Sequence, residues 1–265
     1  MSRIYVTGSS GFLGKHLVSR LGGFSPIFHD DIETIRLLPY QKFYFLSTYG
    51  NMSFHNDSKA ILRANVSDLI TILTKTDWEN GVESFVYVST SSVSRQVQTM
   101  YSRSKKAAEE ILLSFMEKYN APIAIVRPFS ITGVGEQKEH LIPKLIESCL
   151  MGVEMPFVPE ARHDFIDVED VADGIVALSK RHARGIFELG TGKEYSNLEV
   201  LHLVEKITKK KANIHVVSNL RTYDSEHWVS ANMKARTYGW EPKKTLDQTI
   251  AEMVEEYEQT RKKAD

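Results

Sequence analysis

The sequence predicts an α/β fold, a doubly wound parallel sheet with a smaller carboxyl-terminal lobe, on three observations. Short β-rich apolar runs alternate with helix-length segments through the first 190 residues, about as far as that pattern extends. Strands separated by helices force right-handed crossovers and a sheet covered on both faces. Runs such as Phe85-Val-Tyr-Val88 and Ile123-Ala-Ile-Val126 are apolar without alternation, as strands buried on both faces should be. After Arg127 the character changes, and residues 128–160 hold four of the chain's eight prolines.

Taken in order, strands are expected at 4–7, 26–29, 43–47, 84–89, 123–127 and 185–189, and helices near 11–22, 58–75, 101–119 and 169–182. The proline-rich stretch reads as a loop-rich insertion carrying one helix near 137–151. Past residue 190, capping-box patterns at Ser196-Asn-Leu-Glu199 and Thr245-Leu-Asp-Gln248 announce two more helices. The expected division places 1–130 with 162–190 in the sheet domain, and 131–161 with 191–265 in the smaller lobe. That lobe is expected over the carboxyl edge of the sheet, where open α/β sheets bind ligands.

Composition narrows the partners. With 33 basic and 34 acidic residues in 265, there is no electrostatic case for nucleic acid or an anionic membrane. A lone cysteine, Cys149, excludes an intrachain disulfide framework and fits a reducing compartment. No signal-peptide core opens the sequence and no apolar run is of membrane-spanning length, so a cytoplasmic address is the default expectation. No metal-ligand pattern stands out.

The first strand runs into Gly8-Ser-Ser-Gly11-Phe-Leu-Gly14 and then a helical pattern. Glycines there let the backbone turn sharply and approach a pyrophosphate, whose charge meets the helix N-terminus. The spacing is GxxGxxG, and a tight strand-to-helix turn alone would also need such glycines. About twenty residues past the first glycine stand Asp30 and Asp31, where an acid can accept hydrogen bonds from an adenosine ribose and disfavour a 2′-phosphate. They also suit the first turn of a helix. The ribose role is the ground for preferring NAD to NADP.

The chemistry is carried by Ser89-Thr90-Ser91-Ser92-Val93 followed by Tyr101-Ser-Arg-Ser-Lys105. Tyr101 and Lys105 are four apart at the start of an amphipathic helix and so share a face. An ammonium beside a phenol is expected to lower the phenol's pKa, letting Tyr101 exchange a proton with a substrate hydroxyl or carbonyl. Thr90 would bond the same oxygen. Surface helices often carry a Tyr-x-x-x-Lys pair by chance; the hydroxyl-rich strand end and the glycine turn single this one out. The stripe Ala108, Ile111, Leu112 and Phe115 is core or interface packing.

These motifs, with Arg127-Pro128-Phe129, Asp164-Phe-Ile-Asp-Val-Glu-Asp-Val-Ala172, Glu188-Leu-Gly-Thr-Gly192 and Tyr238-Gly-Trp-Glu-Pro242, resemble an extended short-chain dehydrogenase/reductase of the NAD-dependent epimerase/dehydratase family, over nearly the whole length. The resemblance implies a Rossmann-like fold, with Tyr101 as acid/base, Lys105 also on the nicotinamide ribose, and Thr90 as the catalytic hydroxyl. It implies cofactor contacts from Gly8, Ser10, Gly11, Phe12, Leu13, Gly14, Asp30, Asp31, Ser47, Asn65, Ser89 and Pro128, with NAD the expected cofactor and NADP the alternative. It implies a homodimer paired through the helices at 58–75 and 101–119.

The family's largest branch acts on nucleotide sugars and grips the diphosphate with arginines. By that resemblance Arg221 and Arg162 are candidate diphosphate ligands, suited by their planar fork. His163 stands where the family usually has an arginine, Ser130 where an asparagine is frequent, and Thr90 and Ser91 would meet the sugar. Three departures qualify the resemblance. About one βα unit separates the first helix from the strand at 43–47, so the adenosine side is trimmed. The gap from Thr90 to Tyr101 is short. Ser91 and Ser92 replace the acidic pair of the 4,6-dehydratases, which disfavours water elimination. The expected function is a nucleotide-sugar 4-keto-reductase. A C4-epimerase with bound NAD is the alternative, and a non-catalytic NAD(P) sensor the weaker one, since Thr90, Tyr101 and Lys105 are all present.

Overall fold

The computed structural model describes residues 3–52, 54–218 and 227–262. The chain folds as two compact units. The larger comprises Met1–Pro128, Ala172–Leu189 and Met233–Trp240; the smaller comprises Phe129–Val171, Gly190–Asn232 and Glu241–Asp265. The sequence pattern places 162–171 with the sheet and 233–240 with the lobe, and the structure reverses both. Strand pairing between Ser130–Thr132 and Phe165–Asp167 draws the first segment into the smaller unit. The second is drawn to the sheet, where Tyr238 meets Phe187 edge to face at 5.1 Å.

In chain order the elements of the sheet half are β1 (Ile4–Thr7), α1 (Phe12–Val18), β2 (Ser25–Ile27), β3 (Lys42–Phe45), α2 (Ser58–Leu62), α3 (Asp68–Lys75), β4 (Ser84–Val88), α4 (Met100–Tyr119) and β5 (Ile123–Pro128). There follow β6 (Ser130–Thr132), α5 (Leu141–Met151), β7 (Met155–Phe157), β8 (Arg162–His163), β9 (Phe165–Asp167), α6 (Val168–Lys180) and β10 (Gly185–Leu189). The chain continues through β11 (Tyr195–Ser196), α7 (Asn197–Thr208), β12 (Ile214–Val216), α8 (Met233–Arg236) and α9 (Leu246–Lys262).

Six strands form one sheet in the order β10-β5-β4-β3-β1-β2, every neighbouring pair parallel. The strand order reverses at β1, the kind of switch point at which open α/β sheets bind ligands. β4 is buried along its whole length, which its unbroken Ser-Phe-Val-Tyr-Val run required. Phe43 stacks on Phe85 at 5.2 Å and Phe45 tilts against Tyr87 at 5.6 Å, so cross-strand aromatic pairs lock the register of β3 on β4. Leu69, Ile72 and Leu73 of α3 and Ala108, Leu112 and Met116 of α4 close this core. Each large side chain among them contributes roughly 1.5–3 kcal/mol by leaving water.

Two expectations are corrected. The helix expected over 58–75 is interrupted by a π turn at Arg63–Ser67, which turns Asn65 into the protein interior. The strand expected at 26–29 is Ser25–Ile27, so Asp30 and Asp31 lie in a short 3-10 turn, His29–Asp31. From there to β3 no α-helix forms; Ile32, Ile35 and Leu37 plug into the core instead, and this is the trimmed side of the sheet.

The smaller unit packs α5, α7 and α9 around Leu145, Ile146, Val200, Val204 and Ile250. Both halves of the Ser196–Glu199 capping box are formed, and the Gln248 side chain accepts the Thr245 N–H at 3.0 Å. Its strands pair in three short couples, β6 with β9, β7 with β12 and β8 with β11. The Asp164 carboxylate, fully buried, accepts five hydrogen bonds, from the N–H and Oγ1 of Thr191, the N–H of Gly192, and the N–H and Oγ of Ser230. Among the described residues, no helix is long and apolar enough to cross a membrane, and no group of His, Cys, Asp and Glu side chains is placed to hold a metal.

Candidate active site

The glycine turn is built by close backbone approach. Gly8 adopts φ +67°, and a Cβ there would lie 2.9 Å from the backbone of Leu46 and Ser47 at the end of β3. Thr7 ties the same two strand ends, its Oγ1 accepting the N–H groups of Leu46 at 3.1 Å and Ser47 at 3.2 Å. A Cβ on Gly14 would sit 2.0 Å from the Gly8 carbonyl oxygen, so only glycine lets α1 start this close to the turn. Gly11 is the N-cap, and no side chain caps the first turn and no acid stands in it. The N–H groups that open α1, at Phe12 and Leu13 just past Ser10, therefore meet no built-in anion.

Of the two acids, Asp31 holds its own turn, its Oδ2 accepting the Phe28 N–H at 3.0 Å. Asp30 stands beside it, exposed, three residues past the end of β2. The adjacent His29 meets the buried Asp68 of α3 at 2.6 Å.

Tyr101 opens α4, whose N-cap Thr99 accepts the Ser102 N–H. The hydroxyls of Thr90, after β4, and Thr48, after β3, favour the ionised form of Tyr101. Thr90 in turn caps the 3-10 turn Ser91–Ser94 and bonds Ser92 Oγ at 3.1 Å. Ser91 is buried and Ser92 is the serine beside Thr90, so the expected substrate contact from Ser91 is not supported by its position. Neither serine supplies a carboxyl group.

The electrostatics correct the expectation for the tyrosine. Burial raises the Tyr101 pKa, and the two threonine hydroxyls only partly oppose it. Lys105 is fully buried one turn on, where its Nζ donates to the Val88 carbonyl at 2.7 Å and lies 4.4 Å from the Tyr87 ring centroid. Burial pulls its own pKa down to about 7, against the Glu109 carboxylate, which favours the charged form. The ammonium is thus itself poised to titrate near neutrality.

Glu109 and Thr48, which act on the pKa values of Lys105 and Tyr101, are residues that the sequence pattern did not single out. Glu109 is buried on α4, four residues after Lys105. It accepts Arg127 Nε at 3.0 and 3.2 Å and the Ser89 hydroxyl at 2.5 Å. Ser89, expected at the cofactor, therefore has its hydroxyl turned to Glu109. The four-residue spacing from Lys105 was the available signal for Glu109. Thr48 had only its place past an apolar strand end, beside Ser47. Asn65, expected to support the site, ties the segment after β3 to α4. Its amide donates to Tyr49 O at 2.8 Å and Ser104 Oγ at 2.9 Å, and its carbonyl accepts from Tyr49 N and Thr48 Oγ1, both at 3.1 Å.

Pro128 ends β5 opposite Leu189 of β10. In the smaller unit, Ser130 Oγ meets His163 Nδ1 at 3.3 Å, and the His163 ring packs on Phe165 and Trp228. Arg162 faces Glu194 at 3.6 Å and Glu199 at 3.8 Å, carboxylates that a phosphate would have to displace. Arg221 lies outside the described residues.

A family model described as the NAD dependent epimerase/dehydratase family matches residues 46–190. A dTDP-D-glucose 4,6-dehydratase of Mus musculus is 27% identical over 214 residues, covering 70% of this chain and 59% of that protein. The chain thus matches less than two thirds of that relative's length. A GDP-6-deoxy-D-mannose reductase of Pseudomonas aeruginosa is 25% identical over 297 residues, covering 97% of both. Among solved structures, MoeE5 in complex with UDP-glucose and NAD superposes with a TM-score of 0.85 at 22% identity, covering 98% of this chain and 100% of that one.

Proposed function

Since the chain belongs to the NAD dependent epimerase/dehydratase family, we propose that it is an NAD(P)-dependent oxidoreductase reducing a 4-keto group on a nucleotide-diphospho-sugar. The observation that carries this reading is Tyr101 at the start of α4, one helical turn from the fully buried Lys105, with the Thr90 and Thr48 hydroxyls favouring its ionised form. When bound, a nicotinamide nucleotide supplies the hydride. The chain's residues fit such a cofactor: Gly8 and Gly14 admit no side chain, and the uncapped start of α1 suits a pyrophosphate. Asp30 would accept the adenosine ribose hydroxyls, because Asp31 is already engaged in its turn.

In this mechanism Thr90 donates to the sugar oxygen and orients it. Tyr101 gives that oxygen its proton as general acid, and the charged form of Lys105 stabilises the phenolate left behind. Ser130, His163, Arg162 and Arg221 are the proposed sugar-nucleotide residues of the smaller unit. An epimerase would use the same tyrosine but keep its cofactor. The missing helix between β2 and β3 leaves less protein to hold the adenosine, which favours an exchanging cofactor and hence the reductase. We further propose a cytoplasmic homodimer.

The test is oxidation of NADH or NADPH with UDP-, dTDP- and GDP-4-keto-6-deoxyhexoses. The wild-type chain should turn over at least one of them. Tyr101→Phe should bind cofactor normally and lose about 10²-fold or more of the rate. A variant retaining more than about a tenth of wild-type turnover would refute the acid/base role.

A further inference from the structure

The groups that touch the Lys105 ammonium are not carboxylates. Its Nζ donates to the Val88 carbonyl at 2.7 Å and stands over the face of the Tyr87 ring, 4.4 Å from the centroid. A carbonyl accepts a hydrogen bond from amine and ammonium alike, whereas the face of an aromatic ring attracts chiefly the cation. Glu109, whose charge also favours the ammonium, is itself bonded by Arg127 through Nε and Nη2, and that positive charge offsets part of its pull. The ring is held where it is: Tyr87 is fully buried on β4 and packs against Phe45 of the neighbouring strand at 5.6 Å. Its hydroxyl is also buried, yet meets no hydrogen-bond partner among the described residues. A buried O–H without a partner costs stability, so what this position offers is its ring.

We propose that Tyr87 is a positioning residue for Lys105: the face of its ring seats the lysine as an ammonium, and its hydroxyl takes no part. Burial disfavours the charge, and the ring opposes burial by direct contact. The titratable and charged groups around this seat are Tyr101 and Glu109 on α4, Tyr87 itself on β4, and Arg127 on β5, paired with Glu109. Tyr101, Glu109 and Arg127 all remain when Tyr87 is changed. Losing the ring face therefore favours the neutral amine and lowers the Lys105 midpoint.

The proposal rests on Lys105 serving as the charge that stabilises the Tyr101 phenolate, and its test separates the two. The chain is labelled with [ε-¹³C]lysine, and the Lys105 signal of the cofactor-free chain is identified by its loss in Lys105→Met. Titration of that signal gives the Lys105 midpoint. Tyr87 is replaced by phenylalanine and by its 3,5-difluoro and 3,4,5-trifluoro forms, which drain charge from the ring face and nearly keep its shape. Tyr87→Phe should leave the midpoint in place. The trifluoro form should lower it by about one pH unit, with the difluoro form between. Tyr87→Leu removes the ring and should lower it at least as far; the fluorinated set decides the matter if the leucine variant does not fold. A midpoint unmoved along the fluorinated set, or the full shift already present in Tyr87→Phe, would overturn the role. In turnover with the 4-keto-sugar nucleotides, the alkaline limb of log kcat/KM should move to lower pH by the same amount in the trifluoro variant. If the midpoint moves and the limb does not, the ring seat stands and the proposed part of Lys105 in the reduction fails.

Discussion

Lys105 sits fully buried against the Val88 carbonyl, with a pKa near 7 and its charge favoured by Glu109. The proposed reduction would require neutral Tyr101 as proton donor and charged Lys105 to stabilise the phenolate. Log kcat/KM for reduction should therefore fall as pH rises above about 7, the side on which the lysine loses its proton. Glu109→Gln removes the carboxylate that favours the ammonium and should move this limb to lower pH. A profile flat across pH 6–9 would contradict the assignment. Linkage gives a second consequence. The folded pKa lies below the unfolded value of 10.5, so the folded chain binds fewer protons between the two. Stability is lost as pH falls from about 10.5 towards about 7, and the cost is complete below that. Lys105→Met should accordingly raise Tm by a few degrees at pH 7, read by calorimetry, while abolishing turnover. That Tyr101 and Lys105 lie one turn apart on one helix was legible from their four-residue spacing. The lysine's burial was not, because it depends on Tyr87 and Val88 arriving from β4.

Among the elements, the turn after β2 separates two acids that the sequence could not tell apart. Asp31 caps its own turn, so Asp31→Ala should cost roughly 1 kcal/mol of stability, read from denaturant unfolding, and leave cofactor choice alone. Asp30→Ala should instead reduce the preference for NADH over NADPH, measured as the ratio of the two kcat/KM values. The reverse pattern would assign the ribose to Asp31. The sheet strands were legible because apolar runs without alternation can hardly be anything else in this arrangement. The break in the helix over 58–75 was not legible, since the apolar spacing of Ile61, Leu69 and Leu73 carries straight through the π turn. What breaks it is tertiary: Asn65 reaches Tyr49 and Ser104, residues 16 and 39 positions away.

For the whole molecule, most of the apolar stripe on α2, α3 and α4 is consumed by the chain's own core, yet Leu62 is 45% exposed and Ile70 40% exposed. A homodimer covering them is expected, and sedimentation at micromolar concentration should show it, with Leu62→Glu and Ile70→Glu together producing monomer. Monomeric wild type would contradict that pairing. The sequence divided the chain into sheet and lobe but misassigned 162–171 and 233–240, because pairing between short, distant segments leaves no periodic trace. The reaction proposed for the molecule is net hydride transfer to a sugar-nucleotide carbonyl by way of Tyr101. It is read most plainly by incubating the chain with [4-²H]NADH, both stereoisomers, and UDP-, dTDP- and GDP-4-keto-6-deoxyhexoses, with mass spectrometry of the product. Wild type should oxidise one cofactor per product and place a single deuterium at C4 from one isomer only, and Tyr101→Phe should do neither at a measurable rate. A sugar that changes configuration with no net consumption of cofactor, or deuterium transfer undiminished in Tyr101→Phe, would contradict it.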